Sequence, residues 1–97
     1  MYVIVRETIL SNEDQYNAAH QDFARILAQT PGLRGTLSLD AGEGRHVSIA
    51  VWDSAASAQA AGPDLGPHYQ RLLAPHTASS GRVVYEGPMV TETLMTR

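Results

Sequence analysis

The stretch Leu33–Trp52, LRGTLSLDAGEGRHVSIAVW, decides the fold. Apolar and polar residues alternate from Leu33 to Ala41 and again from Arg45 to Trp52, the period of two that marks half-buried strands. Between them Gly42-Glu43-Gly44 supplies a hairpin loop. In the first strand Leu33, Leu37 and Leu39 share one face, and Arg34, Thr36, Ser38 and Asp40 the other. In the second, Val47, Ile49 and Val51 share a face, and His46, Ser48, Ala50 and Trp52 share its reverse.

Outward from the hairpin, each side offers one helix and one strand. Tyr2–Leu10 is rich in β-branched residues. Its two faces, Tyr2, Ile4, Arg6, Thr8, Leu10 and Val3, Val5, Glu7, Ile9, are both largely apolar, as in a central strand covered on both sides. Ser11 is the expected N-cap of the next helix, with Asp14 in a box-like position. Tyr16, Ala19, His20, Phe23, Ile26, Leu27 and Thr30 then recur at helical spacing until Pro31-Gly32 closes the run. After Trp52, Asp53 or Ser54 caps a short helix through Ala61, and Gly62-Pro63 is expected to break it. Asp64 and Pro67 begin another helical segment, PHYQRLLAPH. A final strand is expected from about Gly81 through RVVYE. Gly87-Pro88 marks a bulge or a sheet edge there, and MVTETL continues extended.

The order β-α-β-β-α-β predicts an α+β, ferredoxin-like single domain over residues 1–97, with a four-stranded antiparallel sheet and both helices on one face. Two helices cover only one face of such a sheet. The other, carrying Leu33, Leu37, Leu39, Val47, Ile49 and Val51, is a broad apolar patch, so a homodimer packed sheet on sheet is expected, with the segment after Pro88 reaching toward the partner.

Composition narrows the chemistry. Of 97 residues 43% are hydrophobic, which fits a globular chain. No cysteine is present, which excludes disulfides, thiolate nucleophiles and cysteine zinc sites. Net charge is -3 and the seven basic residues, all arginine, are scattered, which makes nucleic acid and anionic membrane surfaces poor partners. The N-terminus alternates and carries Arg6 and Glu7, unlike a signal peptide, and no apolar run approaches a membrane span; a cytoplasmic protein is expected. No metal is expected: His68 and His76 are eight residues apart, beyond the i,i+4 spacing of a helical zinc motif. No G-x-S-x-G elbow or phosphate-binding glycine pattern occurs. Glu7 among its apolar neighbours is either a buried base or, the favoured reading, paired with an arginine or placed at the strand's edge, and His46 is expected to lie on the surface.

Trp52 is the residue that points to a site. It is the only tryptophan, it shares its face with Ser48 and Ala50, and alanines 55, 56, 58, 60 and 61 follow it. Small residues around one large ring signal either a thin packed layer, with Trp52 as core anchor and its N–H satisfied nearby, or a hollow between sheet and helices.

The stretches PGLRGTLSL, VWDSAASAQAA and LGPHYQRLLAP resemble antibiotic biosynthesis monooxygenase domains of the dimeric α+β barrel superfamily, over nearly the whole chain. The resemblance implies a homodimer with a pocket in each subunit. It implies oxidation of a small or polycyclic phenol or hydroquinone to a quinone by molecular oxygen, with no metal, flavin or haem. Trp52 matches the family's strand-end tryptophan, Arg71 its helical arginine, and His68 stands as the proton shuttle. Ser48 replaces an asparagine and Ala58 a tyrosine, two polar groups of the family's phenol site; Tyr16, His20, Tyr69 and Tyr85 are the candidates to stand in for them, and Ser48 and Phe23 are expected to line the substrate with them. The haem-degrading relatives' pattern is not met, with Ala61 at their helical tryptophan and Glu7 on the first strand. A ligand-holding accessory protein and a polyketide isomerase or cyclase are the alternatives on this fold.

Overall fold

The computed structural model describes residues 1–92. Its elements are β1 (Tyr2–Leu10), α1 (Glu13–Leu27), β2 (Leu33–Gly42), β3 (Arg45–Trp52), α2 (Ala55–Leu72), a 3-10 turn at Ala74–His76 and β4 (Thr77–Pro88). All pairings are antiparallel, in the order β2-β3-β1-β4, so the fold is the expected α+β, ferredoxin-like arrangement. β1 and β3 are central, which accounts for the apolar character of both faces of β1.

Residues opposite one another in the register share a face. Ser48 faces Arg6 on one side and Ser38 on the other, and Trp52 faces Tyr2 and Leu33. The last pair corrects the expectation for Leu33. Leu33 lies opposite Trp52 and Gly35 opposite Val51, so Arg34 is an extra residue, a bulge that turns Leu33 to the helix side while Leu37 and Leu39 stay on the other. Arg34 itself reaches Asp53 at 3.4 Å.

The helix boundaries also differ. Asn12, not Ser11, caps α1: its Oδ1 accepts from the Gln15 N–H at 3.0 Å, while the Ser11 N–H is already given to the His76 carbonyl at 3.0 Å. Ser54 caps α2 through the Ser57 N–H. α2 does not break at Gly62-Pro63; it runs unbroken for 18 residues through Pro63 and Pro67. Gln59, Pro63 and Pro67 form one exposed stripe, so the carbonyls that lose a partner at each proline lie on the water side. The residue before a proline resists helical geometry because of its side chain, and here both such residues, Gly62 and Gly66, have none. β4 starts at Thr77, four residues before the expected Gly81, because Thr77 and Ser79 pair with Leu10 and Ile9. It ends at Pro88 on a sheet edge; Met89 adds one bond to the Met1 carbonyl at 2.8 Å. Part of the expected C-terminal extension, residues 93–97, lies outside the described residues.

The core is in two parts. Ile4, Trp52 and Ala61 pack with Tyr2, Leu33, Ala50, Ala58 and Leu65; Tyr16, Phe23 and Leu73 pack with Leu10, Ala19, Leu27, Tyr69 and Leu72. Glu7 pairs with Arg82 at 3.5 Å. Across the face away from the helices Leu37 is 68% exposed and Tyr85 73%, beside the half-buried Val5 and Ile49. Among the described residues no helix is long and apolar enough to cross a membrane.

Candidate functional site

Between the two core clusters the helices stand off the sheet and leave a cavity of about 370 Å³, within the range of small-molecule sites. The register lays out its floor in rows. Leu33 and Trp52 form the first, Thr36, Ala50 and Ile4 the second, Ser38, Ser48 and Arg6 the third, and His46 with Thr8 the last. The floor therefore grades from apolar to polar along β1 and β3. α1 contributes Tyr16, His20, Phe23 and Leu27 at spacings of four, three and four, one face of the helix. α2 contributes Ala58, with only a methyl, and Gly62 and Gly66, with no side chain, which leave the space open, then Tyr69 and Gln70, with Leu73 at its C-cap. A Cβ at Gly62 or Gly66 would meet nothing within 4 Å.

One end of the cavity is closed by Trp52, 4% exposed against Ile4 and Ala61. Trp52 as a core anchor alone would have its indole N–H satisfied nearby, but among the described residues that N–H has no partner. A buried donor left unmade costs about 1–3 kcal/mol, so this is an unusual resting state for a tryptophan serving only as an anchor.

The other end gathers three rings. The His46 ring lies 5.0 Å from Tyr16 and 6.0 Å from His20, and His20 lies 5.9 Å from Tyr16, centroid to centroid. Burial lowers the pKa of His20 from its ordinary value. Burial, and then repulsion from His20, lowers that of His46 despite the opposing pull of Asp40. Both imidazoles are thus held neutral near pH 7, able to accept a proton. Burial, aided by Tyr69, pushes the Tyr16 hydroxyl up to about 12, so it remains a donor. The Tyr69 hydroxyl is fixed by the Gly81 N–H at 3.2 Å.

Of the residues singled out from the sequence, Trp52, Ser48, Tyr16, His20, Phe23 and Tyr69 line this cavity together. His68 and Arg71 do not. They bond each other, Arg71 Nη2 to His68 Nδ1 at 3.0 Å, and His68 borders a separate groove between the end of α1 and the outer side of α2. The helical phase is the reason: Tyr69, Gln70 and Leu73 take the inward positions of that turn. Tyr85, opposite Val5, lies on the sheet's other face. Arg6, Thr36, Ser38 and Gln70 line the cavity without having been singled out, and His46, expected on the surface, is half-buried and lines it because its strand face is the helix side. His46 was legible, since it shares the alternating face of Trp52. Arg6 was not, because both faces of β1 are apolar and only the pairing of Arg6 with Ser48 orients that strand.

No protein-family model and no curated protein matches the chain. Its likeness is to solved structures. A Bordetella bronchiseptica chain named for antibiotic biosynthesis monooxygenases superposes with a TM-score of 0.76 at 11% identity, over 93% of this chain and 97% of that one. SnoaB of Streptomyces nogalater, a cofactor-independent oxygenase, gives 0.70 at 20% identity, over 96% and 94%. A Caulobacter crescentus chain named like the first gives 0.76 at 14% identity, over 93% and 90%. This chain has the fold of the antibiotic biosynthesis monooxygenases. At these identities the likeness is one of fold, and the chemistry of this cavity rests on its own residues.

Proposed function

We propose that this protein is a cofactor-independent monooxygenase that oxidises a small or polycyclic phenol to a quinone with molecular oxygen. The observation that carries the reading is the cavity's polarity. An apolar end closed by an indole with an unpartnered N–H faces an end where two neutral imidazoles adjoin a protonated phenol. The fold shared with a cofactor-independent oxygenase supports it.

In this reading the aromatic body of the substrate lies toward Trp52 and its hydroxyl toward His46 and His20. A neutral imidazole takes the phenolic proton, and the electron-rich phenolate itself reduces oxygen. One oxygen atom becomes the carbonyl at the ring carbon that loses its hydrogen, and the other leaves as water, so phenol plus O2 gives quinone plus H2O. Tyr16 donates to the oxygen-derived anion, and the apolar walls keep bulk water from the intermediate. The roles expected of His68 and Arg71 pass to side chains that line the cavity. We assign the open sheet face to a second copy of the chain and the site of action to the cytoplasm.

The test is oxygen uptake with a panel of fused-ring phenols under 18O2. The expected result is one labelled oxygen in the quinone and its loss in His46→Gln. Turnover without oxygen uptake assigns the cavity instead to an isomerase or cyclase, and binding without turnover to a ligand-holding protein.

A further inference from the structure

Among the described residues Arg6 is the only arginine that lines the cavity, and no carboxylate lines it although the chain has ten acidic residues. Arg25, Arg34 and Arg82 each have a carboxylate within 3.5 Å, whereas among the described residues Arg6, Arg45 and Arg71 have none, and of these three only Arg6 lines the cavity. Its place is built rather than incidental. Ser48 lies opposite it and Ser38 beyond, so a cation and two hydroxyls form one row across the middle of the floor. Gly81 leaves the lane its stem occupies: a Cβ there would come within 3.6 Å of Arg6 Cδ and 3.1 Å of the buried Thr8 hydroxyl. Arg6 is exposed, so the guanidinium stands at the mouth, between the tryptophan end and the histidine end.

We infer that Arg6 makes this cavity selective for an aromatic ligand that carries a permanent anion, a carboxylate beside the ring system, held at the mouth by the guanidinium and the Ser48–Ser38 row. A guanidinium presents paired donors that match the two oxygens of a carboxylate, and a charge-assisted pair in a partly dry site is roughly twice as strong as a neutral hydrogen bond. Among the described residues no carboxylate pairs with Arg6 or lines the cavity, so its charge is left to a ligand. The histidine end is then free for the reacting hydroxyl. The inference rests on the proposed aromatic substrate, and it adds the group that selects among such substrates.

The experiment is calorimetric titration of the full chain with 2-naphthoate and with 2-naphthol, which is neutral at about pH 7.5. The wild type is expected to bind 2-naphthoate at least about tenfold more tightly. Arg6→Gln abolishes the preference and leaves 2-naphthol affinity unchanged, Arg6→Lys keeps part of it, and Arg71→Gln keeps all of it. Melting curves by circular dichroism show that each variant folds. Equal affinities in the wild type, no binding of either probe, or a preference that survives in Arg6→Gln overturns the inference. The assay consumes no oxygen. Selectivity without oxygenation therefore sinks only the proposed reaction, and oxygenation of neutral phenols independent of Arg6 sinks only this inference.

Discussion

The two ends of the cavity are made by the same two strands and yet do opposite things. At the Trp52 end β1 and β3 present Ile4, Ala50 and Trp52 to a helix reduced to Ala58, Ala61 and Gly62; few atoms surround one large ring, and the space stays open. At the other end the same strands present Thr8 and His46 to the buried Tyr16 and half-buried His20, and polar rings meet each other. The lesson is that a small sheet can hold a binding surface and a proton acceptor three rows apart on one face without any loop. The alternation of each strand keeps both on one face.

Trp52 gives the widest separation of the two ends. Trp52→Ala is expected to destabilise the fold by about 3–5 kcal/mol, since it empties a cluster that has few other large members. Trp52→Phe breaks no hydrogen bond and should cost much less by chemical denaturation. If the phenylalanine variant folds well but binds aromatic ligands weakly, the indole N–H serves the ligand and not the core.

His46→Gln attacks the other end. Turnover is expected to fall about 10²- to 10⁴-fold with ligand affinity nearly unchanged, the signature of a lost proton acceptor. An equal loss of affinity and rate would make the histidine end a second binding surface and dissolve the contrast. Ala58→Leu should do the reverse. It fills the tryptophan end, lowers aromatic affinity about tenfold or more, and leaves the melting temperature close to that of the wild type.

A smaller effect comes from pH. The folded-state pKa values of His20 and His46 lie below the unfolded value of 6.5, so the unfolded chain binds more protons as the solution is acidified. Their contribution to stability is present above about pH 6.5 and is lost as pH falls through the lowered values. The melting temperature should therefore drop between about pH 7.5 and 5.5, and the double variant His20→Gln/His46→Gln should flatten that slope. The smallest effect is expected on the outer side of α2, where Arg71→Ala should change stability by no more than about 0.5 kcal/mol and turnover by less than about twofold.

Much of the site could be read in advance for a specific reason. Ser48 and Trp52 follow from strand alternation, and Tyr16, His20 and Phe23 from one helical stripe; both periods survive folding because each belongs to one regular element. His68 and Arg71 were harder, because Gly62-Pro63 reads as a break and the helical phase cannot be counted across a break. The unbroken α2 fixes that phase and turns Tyr69 and Gln70 inward instead. Leu33 was misplaced by the bulge at Arg34, which adds a residue without leaving a mark in the alternation.

By itself the sequence determined the order of elements, the antiparallel hairpin at its centre and the small-residue helix facing a lone tryptophan. Those depend on local periodicity and on side-chain volume, which a chain carries wherever it goes. The tertiary structure decided that Arg6 and His46 join Trp52 around one space while Arg71 stays outside. Which residues of different elements meet is set by register and helix phase, and these exist only once the strands have paired and the helix has run through its prolines.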